Sequence, residues 1–370
     1  MRKRFDDSRK IKIKNKWSIK KKVIVISSIT VGVLALAAGG FFGWGAFFAD
    51  SPIVPDEPEI VRFYSPLTGV ETTQENTLRP ITAVMIENSP EARPQSGLQQ
   101  AGVVFEAVAE GGITRFIALY QEAQPGLIGP VRSVRPYYIE WAAAFDPAVA
   151  HVGGSDEALA MIRSGSYGID LDQFFNDQAY WRTNDRYAPH NMYTDTKNLD
   201  ALMAARGKTS STFTPWERRE GERVTQPEPT TDDGEPVVDT NVYVNSITMP
   251  VSTGLFLVKY EYNAAVNNYT RYQGGAAHTD RELGQIAPDT VIAMMVDMYL
   301  GSDGLHNEVR TTGSGTAYIF QNGIMYQTVW AKTSPNSQIT FTGVDGNEIK
   351  LNRGQTWITA VPNGQTVTWQ

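Results

Sequence analysis

Four arginines gather near turns in the first folded part of the chain: Arg93, Arg115, Arg132 and Arg135. In the segment Ile128-Gly129-Pro130-Val131-Arg132-Ser133-Val134-Arg135-Pro136, Arg132 and Arg135 stand three residues apart and share a face if that segment is helical. A helix start offers free N–H groups, so two guanidinium forks there would make an anion site. The opposing reading pairs these arginines with Glu106, Glu110 or Glu140. All four histidines, His151, His190, His278 and His306, lie in turn-like surroundings. A loop histidine beside a carboxylate can act as a general base, so His190 or His151 with Glu110 or Asp280 is the candidate catalytic pair, and Asn191 is a candidate orienting donor. No His-Glu-x-x-His pair exists; no metal is expected, and His278 with Asp280 are the positions where one would be sought. Glu87, Glu106 and Glu110 also suit a paired-carboxylate site of glycosidase type. Ser155 lacks the second glycine of a nucleophile elbow and reads as a helix cap. No motif implies a cofactor.

These residues need elements to hold them. The β-branched runs at 81–87, 103–108 and 114–121 predict strands, and 134–145 and 156–163 predict helices. The alternation gives a mixed α+β or α/β unit over 70–213. Residues 214–239 are rich in Pro, Gly and charge and read as a linker. From 240 to 370 the chain reads as a mainly antiparallel β unit, closed as a barrel or paired as a sandwich, with Asn322-Gly323 as a hairpin turn and 291–300 as one central strand.

Charge is divided unevenly. The whole chain is −7, but residues 1–22 are +9 and the remainder −16, an acidic body that argues against nucleic acid as a partner. Residues 23–49 carry no charge and, as a helix, would extend about 40 Å, enough to cross a bilayer. Lysines before it and Asp50 after it predict a cytoplasmic tail at 1–22 and everything beyond the tether at 50–69 outside the cell. The run is too long for a signal peptide and lacks a small-x-small end.

Several motifs resemble the YerB-type family of bacterial lipoproteins, a domain of unknown function. They are Glu87-Asn88 with Arg93-Pro94-Gln95-Ser96-Gly97-Leu98, Glu110-Gly111-Gly112-Ile113-Thr114-Arg115-Phe116, the 128–135 segment, Ala188-Pro189-His190-Asn191 and Gly354-Gln355-Thr356-Trp357-Ile358. The resemblance implies a two-part extracytoplasmic protein and carries no activity. Lipidation needs a cysteine and this sequence has none, so the 23–49 stretch is expected to serve as the anchor. The function expected is binding of an anionic envelope ligand through Arg93, Arg115, Arg132 and Arg135. The alternatives are a hydrolase or transferase acting on envelope polymer, and a scaffold for other envelope proteins.

Overall fold

The computed structural model describes residues 61–228 and 239–370. The expected tail at 1–22 and membrane helix at 23–49 lie outside the described residues, as do most of the tether and residues 229–238. Among the described residues no helix is long and apolar enough to cross a membrane.

The three β-branched runs become β1 (Thr82–Glu87), β2 (Val103–Glu110) and β3 (Ile113–Tyr120). Helix α1 (Pro136–Ala143) begins on a proline and buries Tyr137, Tyr138 and Trp141. Next come β4 (Ala148–His151), α2 (Asp156–Arg163), β5 (Ile169–Asp172) and α3 (Thr196–Ala205). Ser155 caps α2, its Oγ accepting the Ala158 N–H, while Asp156 and Glu157 face the positive end of the helix dipole. The second half supplies β6 (Val242–Tyr243), β7 (Ser246–Pro250), β8 (Leu257–Asn263), β9 (Asn268–Gln273) and β10 (Thr290–Val296). It ends with β11 (Gly313–Gln321), β12 (Ile324–Lys332), β13 (Thr340–Gly343), β14 (Thr356–Pro362) and β15 (Thr368–Trp369).

One sheet runs through both halves in the order β6-β12-β11-β10-β14-β2-β3-β1-β4-β5, with β13 added to β12. The segments 70–213 and 240–370 thus share a sheet, and Arg62–Gln370 forms one compact unit. Strand β14 lies parallel between β10 and β2, pairing Thr356 with Val103 and Thr359 with Glu106. From those pairings β1, β2, β4, β5, β10 and β14 all point one way. Glu87, Glu110, His151 and Asp172 therefore reach the same edge, where crevices of open α/β sheets form.

Successive residues of a strand face opposite sides, and each side buries its own core. Val84, Ile86 and Phe116 pack with Ile247, Val258 and Tyr260 of the smaller five-stranded antiparallel sheet. Ala83, Met85 and Phe105 pack with Trp141 of α1 and Ile162 of α2. The mixed-then-mainly-β order stands, but the second half forms no barrel, because β14 is drawn into the first half's sheet. The run 291–300 also divides. Asp297 leaves the sheet to pair with Arg310, and Met298–Leu300 joins a separate hairpin with Asn307–Val309.

A candidate functional site at the strand ends

Glu87 closes β1. Its N–H donates to Pro130 O and the Arg132 N–H donates to Met85 O, so 130–132 runs beside the strand. On the opposite flank Val131 N–H donates to Met192 O, and Ile128 and Thr194 exchange hydrogen bonds. Gly129 permits the approach: its φ is +149°, and a Cβ there would stand 2.8 Å from Met192 O. His190 and Arg132 are thereby delivered to one carboxylate. His190 Nδ1 lies 2.9 Å from Glu87 Oε1, and Ser89 Oγ donates to the same oxygen at 3.0 Å. Arg132 Nε is 3.2 Å away, close enough for ion pairing but not aligned for a hydrogen bond.

Exposure separates the members. The Glu87 side chain is 4% exposed, whereas His190 keeps 24% and Arg132 26%. Glu87 Oε2 is buried without a hydrogen-bond partner among the described residues. With Nδ1 on the carboxylate, His190 Nε2 is left with no hydrogen-bond partner among the described residues and is not buried. Such a histidine can accept or deliver a proton at Nε2 while the carboxylate fixes its tautomer.

The other expected ligand-binding arginines are more heavily committed. Glu110 pairs with both Arg115 and Arg135, the latter at 2.7 Å. Arg115 also donates to Ser133 O and Arg135 to Val134 O. Burial, then the Arg115 charge, hold the Arg135 guanidinium below its ordinary pKa. A cleft of about 530 Å³ beside Arg135 carries Glu140, Asp156, Glu157, Asp303 and Glu308, a lining that repels anions. Arg93 has no carboxylate within ion-pair distance among the described residues. It donates to Asn88 Oδ1 at 3.1 Å and lies over the Phe256 ring. Asn191 accepts from Arg182 and donates to Thr183 O and Arg186 O, closing the loop before it instead of facing a ligand.

The remaining candidates are structural in their contacts. His151 is wholly buried, with Nδ1 on Gly153 O and Nε2 on Asp170. Asp280 accepts the N–H groups of Gln99, Glu282 and Leu283. His278 accepts from Arg271 Nε at 2.8 Å and donates to Gln95 Oε1 at 3.0 Å. Burial first, then the Arg271 and Arg93 charges, push its pKa well below the ordinary histidine value. Both positions considered for a metal are thus spent on protein partners. His306 bonds Asp303, away from Glu87.

Sequence reasoning passed over the most buried ion pair. Arg271 Nη2 lies 2.9 Å from Glu106 Oε2, with both side chains fully enclosed. Tyr260 OH accepts from Arg271 Nη1, and the guanidinium sits 4.4 Å from the centroid of the Trp357 ring. Gln95 links this network to the site, donating to Glu87 O at 2.9 Å. A signal existed: Tyr269, Arg271 and Gln273 alternate in β9, and the buried pattern places the arginine inward. The glycosidase reading does not survive, because Glu87, Glu106 and Glu110 are each held by a different cation.

Fold and site together define a mixed α/β protein with a histidine–carboxylate pair at the C-terminal edge of a sheet built by both halves of the chain. The particular family follows from comparison. Residues 67–210 match "Protein of unknown function (DUF3048) N-terminal domain" and 242–358 match "Protein of unknown function (DUF3048) C-terminal domain"; the chain belongs to this family. "Putative lipoprotein YerB" of Bacillus subtilis (strain 168) is 33% identical over 315 residues, 84% of this chain and 89% of the relative. The crystal structure of the Bacillus subtilis YerB protein matches with a TM-score of 0.71 at 30% identity, covering 83% of this chain and 99% of that one. The YerB-type resemblance read from the motifs is shown.

Proposed function

We propose that this protein is a membrane-associated extracytoplasmic member of its family that binds an anionic envelope ligand at His190 and Arg132, above Glu87. One observation carries the reading: Arg132 and His190 remain part-exposed while the carboxylate joining them is buried with Oε2 unsatisfied. A ligand that offers an acceptor to Arg132 and a hydroxyl to His190 Nε2 would meet both part-exposed groups. Arg93 adds positive field, whereas Glu110 offsets much of that from Arg115 and Arg135. The relative's name supports the location. In this reading the uncharged stretch at 23–49 provides the membrane attachment.

Binding of inorganic phosphate and of glucuronate to the full chain in zwitterionic nanodiscs tests the site. Losing one charge-assisted contact costs about 1.5–3 kcal/mol, so Arg132→Gln should weaken whichever probe binds by at least about tenfold. Its melting temperature should stay near the parent's. Arg135→Gln should do the reverse, lowering the melting temperature by leaving Glu110 with Arg115 as its one cation. Unchanged affinity in Arg132→Gln discards the site.

A second reading rests on the His190–Glu87 hydrogen bond, the arrangement of a general acid–base pair. Under it the full chain releases soluble product from purified wall material, and His190→Gln slows release by about 10²–10⁴-fold. No release from any wall preparation removes the catalytic reading and leaves binding intact.

A further inference from the structure

Two exposed aromatic residues are joined through the backbone to the segments that build the site. Tyr187 is 91% exposed and Phe174 is 70% exposed. Neither is there through slackness of its loop. Arg186 donates to Ala92 O and Pro94 O, the Asn191 side chain holds Thr183 O and Arg186 O, and the His190 N–H donates to Tyr187 O. The loop that presents Tyr187 is therefore tied at both ends, one of them His190 itself. Phe174 follows β5, its N–H capped by Asp172 Oδ1, and its ring lies 3.3 Å from where a Cβ of Gly153 would be. Gly153 O in turn accepts the Val134 N–H, and Arg132 O accepts the Val152 N–H. Tyr187 is thus tied through the backbone to His190, and Phe174 lies against the Gly153 that is hydrogen-bonded to the segment following Arg132. Single exposed hydrophobics are ordinary on a protein surface, and these two are set apart by the tied backbone that joins them to His190 and to the 132–134 segment.

We infer that the ligand of this site is an acidic glycan: sugar rings stacked on Tyr187 and Phe174, a carboxylate or phosphate substituent on Arg132, and a ring hydroxyl donating to His190 Nε2. The inference rests on the anion-binding reading and adds the class of molecule that carries the anion. Sugar rings present apolar C–H faces that pack on aromatic faces, and their hydroxyls are neutral donors for the part-exposed His190 ring. A bare anion uses neither feature. An anionic bilayer surface would use the rings and Arg132 but offers no sugar face to stack, so loss of either ring would not separate a saccharide from a simple anion.

The test uses the full chain in zwitterionic nanodiscs and four probes: a hyaluronan tetrasaccharide, chitotetraose, inorganic phosphate and phosphatidylglycerol vesicles. The tetrasaccharide should bind more tightly than phosphate and than the neutral chitotetraose. Tyr187→Ala and Phe174→Ala should each weaken the tetrasaccharide by about 5- to 10-fold and leave phosphate unchanged, a size set by the worth of one aromatic face. Arg132→Gln should weaken both. If phosphate binds as tightly as the tetrasaccharide and the aromatic variants change nothing, the glycan inference falls and the anion site stands. If chitotetraose matches the tetrasaccharide, or no probe binds, the anion reading falls and takes the inference with it. Vesicle capture through the rings with no saccharide binding overturns it in favour of a membrane face.

Discussion

Arg271 and Glu106 lie where two chain segments meet, and each is the other's main solvent. Removing one leaves a charge with no water to replace it, so Arg271→Met or Glu106→Ala should cost about 3–5 kcal/mol. The Arg271→Met/Glu106→Leu double variant should recover part of that, since apolar replacement of a buried pair is often near neutral. Denaturant unfolding of the three proteins checks it; a harmless single variant would mean the pair is not desolvated. His278, beside them, gives a pH signature. Its folded pKa is depressed, so on acidification the unfolded chain takes up a proton near pH 6.5 that the native ring refuses. Its contribution to stability is full above that pH and shrinks as pH falls, by up to about 1.4 kcal/mol per unit. Asp289 has the opposite sign: burial raises its carboxyl to about 6, so it subtracts stability as pH rises from about 4 to 6. In an NMR titration the His278 ring should still be neutral where an ordinary histidine is half protonated; a midpoint near 6.5 contradicts its enclosure. At this scale the sequence disclosed residue types but not partners. Arg132 and His190 both stand in turns, while Glu87, at the end of an apolar strand, stands out only as one of three carboxylates and as part of the Glu87-Asn88 motif.

Elements were more legible where local chemistry decides them. Ser155 before an acidic first turn specifies the start of α2, and Asn322-Gly323 specifies the β11–β12 turn, both residues taking positive φ. The site, by contrast, depends on 128–134 lying between β1 and 192–194, and no periodicity encodes that pairing. Only Gly129 hints at it. Its Cβ-free approach to Met192 O sets the position of Arg132 relative to His190. Gly129→Ala should therefore lower stability by about 1–3 kcal/mol through strain at positive φ and the collision with that carbonyl. Hydrogen exchange should show the loss first at Val131 and Thr194, whose amides bridge the two segments. Stability and exchange equal to the parent would mean that the segments approach without needing a bare backbone there.

For the whole molecule, the composition break at 214–239 marks a change of texture in the chain, while the hydrogen bonds ignore it. Sequence reasoning separates units where apolar periodicity stops; it cannot see that a strand from the chain's end will be parallel to one from its beginning, because parallel partners are joined by long connections with no local signature. Here β14 fills the place between β10 and β2, and Trp357 packs on Phe116 and Arg271 while donating to Glu106. Pulling β14 away would expose an edge on each half and strand a buried carboxylate. The two halves should accordingly unfold together. Under native-state hydrogen exchange, amides of β1–β3 and of β10–β12 should share one opening free energy, and Trp357→Ala should lower both by the same amount, about 3–5 kcal/mol for a buried large-to-small change. If β10–β12 lost protection while β1–β3 kept theirs, the shared sheet would be a contact between independent units. The Gln95 link from Glu87 to His278 would then have no bearing on how the candidate site is held.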